Sequence, residues 1–386
     1  MGRIVRPQSS LAIAVEGLMK GYPAIVRIFK NQLTINLALQ GGGAHGAFTW
    51  GVLDRLLEED NIEIGWVSAT SAGAVNAVAL AGGLVHGGRE AARAKLHEVW
   101  ESVYKSGVPD LLRMNPFLYS LSRSPALTQV ASLWSPYDFN PLGFDPLRRI
   151  LSDTINFDAL RDSSPIQLLI AATEISTGRA RLFRNHELTI ESVLASACLP
   201  TIHHAVEIEG KAYWDGGFSA NPDIVTLAGE SPVNDTLIVQ LNPTAKAGLP
   251  TGVREIADHA NRLTFNAPLI RDIEIIETAR EAAGHFGRFG LRGRLARLVK
   301  HRFHHIEAGR YTGSLSPESK IKPDWETFMY LQRAGRLETS KWLDRHRADV
   351  GVKSSVDLKE RFLDAREDTM QYGADRDTQS RDRVAG

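Results

Sequence analysis

The sequence contains a single cysteine, no long apolar run and no excess of either charge. Because Cys198 has no second cysteine, an intramolecular disulfide bond and metal sites built from several cysteines are excluded. The 45 basic and 45 acidic residues cancel, which argues against a protein whose whole surface attracts nucleic acid. No stretch approaches the roughly 20 uncharged residues of a transmembrane helix. The 386 residues, 43% of them apolar, still suffice for a large hydrophobic core.

The two ends of the chain differ from its middle. In residues 1–33 a short apolar patch is broken by charges and by Pro23, and it lacks the uninterrupted core of a signal peptide, which predicts an N-terminal extension. Residues 364–386 are dense in Asp, Arg, Gln and Glu and nearly lack large apolar side chains, which predicts a disordered tail. Since one cysteine suits a reducing compartment best, we expect a cytoplasmic protein.

Short apolar runs alternate with helical patterns in the first third of the chain. Residues 34–39 form an apolar run that stops at a glycine loop, and residues 44–59 carry apolar side chains at helical spacing. A second run at 64–68 ends in another tight turn and is followed by a helix rich in Ala and Val. This repetition predicts an α/β fold with a central, mainly parallel sheet, which the later runs 166–172 and 236–241 also fit.

Residues 109–146 interrupt this pattern. Six prolines limit regular structure there to short pieces, and several aromatic side chains accompany them. A long, aromatic insertion of this kind in an α/β domain is typical of a lid or a pocket wall, while a surface excursion packed on the core explains it equally well.

The turn after the second predicted strand has the pattern of a nucleophile elbow. Ser71 lies between Ala69 and Gly73, and the elbow needs small residues two before and two after the serine because strand and helix approach closely there. Such a pattern is weak by itself. Its place between an apolar strand and an Ala/Val-rich helix strengthens it.

The first turn, Gly41–Gly46, permits two interpretations. It matches the G-x-G-x-x-G fingerprint of dinucleotide-binding folds, and it also suits an oxyanion hole made of backbone N–H groups at a helix start. A dinucleotide fold needs an acidic residue at the end of the next strand, where this sequence has Ser68–Ser71 instead. This difference favours the oxyanion hole.

A third turn supplies a candidate base. Asp215 ends an apolar stretch and precedes Gly216 and Gly217, which allow a sharp bend that leaves the carboxylate facing a cleft. An Asp that merely caps a turn is the alternative, and it would be preferred for a lone Asp-Gly.

Taken together, the three turns resemble the patatin-like phospholipase family. The small-residue segment Ala195–Pro200, the segment Ala172–Glu174 with Thr177-Gly178, and Asn221-Pro222 match as well. The resemblance covers residues 34–243, and the helical remainder, 244–363, looks like extensions of bacterial members. It implies a three-layer α/β/α fold with a helical C-terminal extension.

The resemblance also implies a mechanism and its residues. Ser71 would be the nucleophile and Asp215 the general base of a dyad, and the backbone N–H groups of Gly41, Gly42, Gly43 and Ala44 would form the oxyanion hole. Ala69, Gly73, Gly216 and Gly217 would support the turns. The implied reaction is hydrolysis of acyl esters in phospholipids or lysophospholipids through an acyl-enzyme, in an apolar, partly covered pocket, without metal or cofactor. A general carboxylesterase or acyltransferase, or a non-catalytic lipid- or nucleotide-binding module, remains the alternative.

The sequence departs from the family at two positions. Ala69 replaces the commoner glycine of the elbow, and His45 stands where many members have Arg or Lys. A fixed positive charge beside the oxyanion loop is therefore in doubt.

The histidines leave a second catalytic arrangement open. His203 and His204 precede Asp215, and His259 and His285 follow it, so that a Ser-His-Asp triad must be weighed against the dyad. The group His301, His304 and His305 has no acidic or cysteine partner at ligand spacing, which favours surface histidines over a metal site.

Residues 284–303 combine cations and apolar side chains without an acid. Six cations (Arg288, Arg292, Arg294, Arg297, Lys300 and Arg302) alternate with Phe and Leu. Such a segment either contacts an anionic lipid surface or packs on the body as a solvated helix. The first option would make the protein peripheral at the inner membrane surface.

Overall fold

The structure, a computed structural model, describes residues 32–106, 135–244, 248–286, 291–312 and 324–364. Nearly all of the predicted N-terminal extension (1–33) and of the predicted tail (364–386) lies outside these ranges, as does the predicted insertion (109–146) up to residue 134. In the described part of the chain, no helix has both the length and the apolar character needed to cross a bilayer.

A mixed sheet forms the centre of the described chain. Its strands are β1 (Leu33–Leu39), β2 (Ile62–Thr70), β3 (Gln167–Glu174), β4 (Ala180–Arg184), β5 (Val206–Ile208), β6 (Lys211–Asp215), β7 (Asp235–Gln240) and β8 (Arg302–Glu307). Their order is β5-β6-β3-β2-β1-β7-β8, and β4 pairs with β3 as well. Five adjacent strands, β3, β2, β1, β7 and β8, run parallel to one another. Strands β4 and β6 are antiparallel to β3, and β5 is antiparallel to β6.

Helices cover both faces of this sheet. They are α1 (Gly46–Leu56), α2 (Ala72–Ser106), α3 (Pro136–Phe139), α4 (Pro146–Thr154), α5 (Phe157–Ser163), α6 (Ile190–Ser196), α7 (Ile224–Glu230), α8 (Val253–Phe286), α9 (Gly293–Lys300), α10 (Gly309–Thr312) and α11 (Trp325–His346). Along β1, Leu37 and Leu39 enter one core with α1, α2 and α11, while Ala38 enters a second core with α7, α8 and α9. The predicted three-layer α/β/α architecture is confirmed.

The C-terminal region is helical, as predicted, but it also extends the sheet. β8 pairs in parallel with β7 over the full length of both strands. Its sequence, with four charged or histidine side chains among six residues, has no apolar run that would predict a buried strand. This strand joins the helical C-terminal region to the central sheet.

Candidate active site

Ser71 occupies a strained turn between β2 and α2. Its φ is +55°, a left-handed conformation that non-glycine residues rarely adopt. The Ser71 N–H donates to the Ser196 Oγ at 2.9 Å, and the Ser71 carbonyl accepts from the Val75 N–H at the start of α2. The turn thereby holds the serine side chain at the carboxyl end of β2.

Close packing explains the small residues around this turn. A side chain on Gly73 would place its Cβ 2.3 Å from the carbonyl oxygen of Leu39, so helix α2 can pass the end of β1 only with a glycine here. Ala69 is fully buried and pairs with Leu39 on one side and Ile170 on the other.

The topology brings the ends of two strands together beside β3. Thr70, the last residue of β2, pairs with Ala171, and Asp215, the last residue of β6, pairs with the next residue, Ala172. Because β4 occupies the other edge of β3, β2 and β6 approach each other end to end along the same edge. Ser71 follows Thr70 directly, so the hydroxyl and the carboxyl group meet at this junction.

Asp215 is enclosed, with only 1% of its surface exposed, whereas the sequence predicted a carboxylate that faces a cleft. Its Oδ1 accepts a hydrogen bond from the Gly217 N–H at 2.7 Å, and the Ser71 side chain lies close enough to lower the pKa of the same carboxyl group. Burial raises the pKa of Asp215 to about 7, because the loss of hydration outweighs the lowering effects of the Gly217 N–H and of Ser71. A carboxylate with this pKa is matched to proton transfer near neutral pH.

The glycine loop contributes fewer free donors than the sequence predicts. The Gly41 N–H donates to the Asn221 Oδ1 at 2.8 Å, so Gly41 is not available as an oxyanion donor. Within the described residues, the N–H groups of Gly42, Gly43 and Ala44 have no protein acceptor. Gly43 has a φ of +57°, which turns the loop into the short 3-10 turn that precedes α1.

The glycines after Asp215 are required by space and not by their backbone angles. A Cβ on Gly216 would lie 2.2 Å from the carbonyl oxygen of Ala171, and one on Gly217 would lie 2.3 Å from the Phe265 ring. Neither glycine has a positive φ, in contrast to the sharp bend that the sequence suggests.

Of the four histidines considered for a triad, the three whose side chains the structure describes contact groups other than Asp215. The His203 Nδ1 accepts from the Leu199 N–H, and burial lowers the pKa of His203. His204 stacks on Tyr137, and its Nε2 contacts the Pro136 carbonyl. His259 contacts Arg262. The side chain of His285 lies outside the described residues. Among those that are described, no histidine acts on the Asp215 carboxyl group.

Of the histidines near β8, His301 and His304 are buried and His305 is half-buried, whereas the sequence predicted surface histidines. His301 contacts the Thr236 hydroxyl, His304 contacts Asp235 and Ser355, and His305 contacts Gln240. Burial lowers the pKa values of His301 and His305 to about 3. No group of metal-ligating side chains occurs in the part of the chain that the structure describes.

Sequence reasoning did not identify the side chains that hold the loop in place. Asn221 accepts from Gly41 and donates to the Phe265 carbonyl. Gln40 donates to Asn266 and accepts from the N–H groups of Leu241 and Asn242. The sequence indicates Asn221 only as part of the Asn221-Pro222 segment that matches the family. Its amide connects the glycine loop to α8.

Two cavities in the described part of the chain lie away from the dyad. One is lined by Leu291, Ala296, Val299 and Lys300 near α9, and the other by residues of α4, α5 and α6 on the other face. The apolar pocket expected at the dyad stays a prediction. The apolar side chains next to Asp215 are Trp214, Phe218 and Phe265, whose rings contact one another in sequence order. Residues 109–134 of the predicted lid lie outside the described part.

Residues 37–228 match the family model of patatin-like phospholipases. None of the curated proteins matches the chain. Similar solved structures include VipD from Legionella pneumophila, with 17% identity, a TM-score of 0.42, and coverage of 82% of this chain and 67% of that chain. Another is the ExoU–SpcU complex of the Pseudomonas aeruginosa type III secretion system, with 15% identity, a TM-score of 0.31, and coverage of 92% and 62%.

The chain thus spans about two thirds of the length of either of these structures. The matched family region contains the glycine loop, the Ser71 turn and Asp215. Through this domain, residues 37–228, the chain belongs to the patatin-like phospholipase family.

Proposed function

We propose that this chain is a serine acyl hydrolase that cleaves acyl ester bonds of phospholipids or lysophospholipids with a Ser71–Asp215 dyad. Membership of the patatin-like phospholipase family supports lipid hydrolase activity. The observation that carries the dyad is the junction of β2 and β6, where a strained serine and a buried carboxyl group with a pKa of about 7 interact.

In the first half of the proposed reaction, the Ser71 Oγ attacks the ester carbonyl while Asp215 takes the hydroxyl proton. The N–H groups of Gly42, Gly43 and Ala44 donate to the oxygen that becomes negative. The carbon–oxygen bond to the glycerol part then breaks, and the leaving oxygen takes the proton back from Asp215. The product is an acyl-enzyme on Ser71.

In the second half, water replaces the alcohol. Asp215 takes a proton from the water as its oxygen attacks the acyl carbonyl, and the same N–H groups hold the second oxyanion. The bond to the Ser71 Oγ breaks, Ser71 recovers its proton from Asp215, and the fatty acid is released.

The direct test is hydrolysis of a phospholipid and lysophospholipid panel by the wild type, Ser71→Ala and Asp215→Asn. Both variants should lose at least about 1000-fold in kcat, because each group takes part in bond formation. Ser176→Ala is the matched control, since Ser176 is exposed. The wild type and Ser176→Ala should be labelled by a serine-directed fluorophosphonate, and Ser71→Ala should not.

Three outcomes would replace the proposal. An active Asp215→Asn together with an inactive His203→Ala would indicate a triad. Hydrolysis of short esters without hydrolysis of phospholipids would indicate a general carboxylesterase or acyltransferase. Absence of fluorophosphonate labelling and of all hydrolysis would indicate a non-catalytic lipid-binding module.

Peripheral contact with a lipid surface is part of the proposal. For residues 284–303, the structure ties three of the six cations to the body: Arg294 and Arg297 contact Glu230, and Arg302 pairs with Asp235. A second candidate surface lies on the first turns of α8, where Val253, Ile256 and Leu263 are exposed. The two surfaces lie at different places relative to Ser71, and they can be tested separately.

A further inference from the structure

Arg262 of α8 is a partly buried cation that pairs with no acidic side chain in the described part of the chain. Its Nε and Nη1 atoms are inaccessible to solvent, and no hydrogen-bond acceptor is found for them within the described residues. Its Nη2 donates to the Nδ1 of His259 at 2.8 Å, and an imidazole that accepts a hydrogen bond brings no negative charge.

The acidic residues nearest in sequence do not neutralise this charge. Glu255 and Asp258 lie on the same helix, and neither of them raises the pKa of Arg262. Burial alone lowers the pKa of Arg262, without a carboxylate that would raise it. A partly buried cation without an anion is costly, and a bound anionic ligand would relieve that cost.

The position of Arg262 relates it to the dyad. The next turn of α8 contacts both halves of the site: the Phe265 ring packs on Gly217, and Asn266 accepts from Gln40, which precedes the glycine loop. Residues three and four apart share a helix face, so Arg262 lies on the face that holds Phe265 and Asn266.

Helix direction places Arg262 on the outer side of the dyad. The chain leaves the carboxyl end of β7 and enters α8, which then runs back along the sheet to its contact with α7 at Asp272. Arg262 therefore lies one turn farther from the sheet than the residues that touch Gly217 and Gln40. In a phospholipid only the glycerol carbons separate the phosphate from the acyl ester, so a phosphate on this side matches an ester at Ser71.

We propose that Arg262 binds the phosphate of the phospholipid head group and so selects phospholipids over neutral acylglycerols. This inference rests on the proposed function. Arg262 would also supply, from α8, the positive charge that many members of the family carry at the position of His45 in the glycine loop. A guanidinium recognises phosphate oxygens by charge-assisted hydrogen bonds, and these are among the strongest that a side chain makes.

The test compares two soluble substrates that differ in the head group: dihexanoylphosphatidylcholine and dihexanoylglycerol, both as monomers. For Arg262→Gln we expect kcat/KM to fall about 10- to 100-fold on the phospholipid and to stay within about threefold of wild type on the diacylglycerol. The kcat/KM of Arg262→Lys on the phospholipid should lie between those of the wild type and Arg262→Gln, because lysine keeps the charge without the planar donors. Arg333→Gln, which removes an exposed arginine from α11, should change neither substrate.

Stability separates recognition from a structural role. Removal of an unpaired, partly buried cation should leave the Tm of Arg262→Gln equal to or above that of the wild type. A lower Tm together with equal losses on the two substrates would overturn the proposal, as would an unchanged kcat/KM on the phospholipid.

A binding experiment keeps this inference distinct from the proposed reaction. Calorimetric titration of Ser71→Ala with glycerol 3-phosphate should show binding. The affinity of Ser71→Ala/Arg262→Gln should be at least tenfold lower. Both results are expected even if the wild type hydrolyses neither substrate. Inorganic phosphate should bind more weakly than glycerol 3-phosphate. Equal affinities would overturn the head-group assignment in favour of a free-anion site, and binding that survives in the double variant would overturn the role of Arg262.

Discussion

The buried carboxyl group of Asp215 connects the chemistry of the site with the stability of the protein. The same desolvation that makes the carboxylate a base with a pKa of about 7 also makes its ionised form unfavourable in the folded state. Asp272 offers an internal comparison, because burial and the neighbouring Asp223 raise its pKa to about 7 as well. Asp272 accepts hydrogen bonds from the start of α7 and lies outside the dyad.

The pKa of Asp215 predicts the pH dependence of hydrolysis. Since the proposed base must be ionised, kcat/KM on a soluble ester should rise about tenfold per pH unit below pH 7 and level off above it. Initial rates between pH 5 and 9 measure this, and Asp272→Asn should keep the profile. A flat profile in a protein that stays folded across the range would contradict the assignment of Asp215 as the base.

The same pKa predicts that Asp215→Asn stabilises the protein at alkaline pH. The folded-state pKa of about 7 exceeds the ordinary value of 3.8, so the folded protein binds this proton more tightly than the unfolded chain. The resulting stability is complete below pH 3.8 and is lost as the pH rises to 7. At pH 8 the free energy of unfolding of Asp215→Asn should therefore exceed that of the wild type by roughly 2–4 kcal/mol.

Urea titrations at pH 4, 6 and 8 would follow this difference. The advantage of the Asn variant should shrink toward pH 4, and Asp272→Asn should show the same trend while it remains active. An advantage that does not depend on pH would mean that the carboxyl group of Asp215 is not protonated preferentially in the folded state.

At the scale of elements, the site arises where strands end. The carboxyl ends of β1 and β2 supply the glycine loop and the Ser71 turn, and the antiparallel β6 brings Asp215 to the same place from the opposite direction. Sequence patterns predict the two turns after β1 and β2, because strand, turn and helix follow one another directly in the chain.

The contacts that fix these turns could not be predicted from one sequence. Asn221 is 180 residues away from Gly41, and Ser196 is 125 residues away from Ser71. No local pattern indicates such pairs. The sequence does not predict β8 for a related reason. Its histidines are accommodated by hydrogen bonds to β7, and only the tertiary structure supplies these partners.

The crossing of α1 and α11 gives a prediction about packing. Gly335 of α11 lies so close to α1 that a Cβ would be 2.1 Å from the Phe48 carbonyl oxygen, and Gly51 of α1 faces the Gln332 carbonyl oxygen in the same way. Gly335→Ala should therefore destabilise the protein by about 1–3 kcal/mol, because the helices must move apart.

Gly284 provides the matched control. It is also helical, and nothing lies within 4 Å of the position of its Cβ. Gly284→Ala should be neutral or stabilising by up to about 1 kcal/mol, since alanine favours the helix. Denaturant midpoints measure both variants. A destabilised Gly284→Ala beside an unaffected Gly335→Ala would contradict the close approach of α1 and α11.

At the scale of the whole molecule, the direction of the sheet separates the two candidate membrane surfaces. Ser71 lies at the carboxyl ends of the parallel strands, and α8 begins on that side. In contrast, α9 contacts Glu230, at the end of α7, and leads into β8 at the amino ends of the strands. A lipid surface held by α9 would therefore lie on the side of the molecule away from Ser71.

This arrangement predicts which surface supports activity on vesicles. Val253→Ser, Ile256→Ser and Leu263→Ser together should lower binding to phospholipid vesicles about tenfold or more, because three exposed apolar side chains could no longer enter the lipid interface. Hydrolysis of a soluble ester and the Tm should stay unchanged, since these side chains are exposed. Arg292→Gln/Lys300→Gln should have little effect on hydrolysis at vesicles. Vesicle co-sedimentation measures binding. If only Arg292→Gln/Lys300→Gln lost vesicle binding, residues 284–303 would be the lipid-binding segment. The lipid surface would then lie on the side of the molecule away from Ser71, which would contradict the prediction.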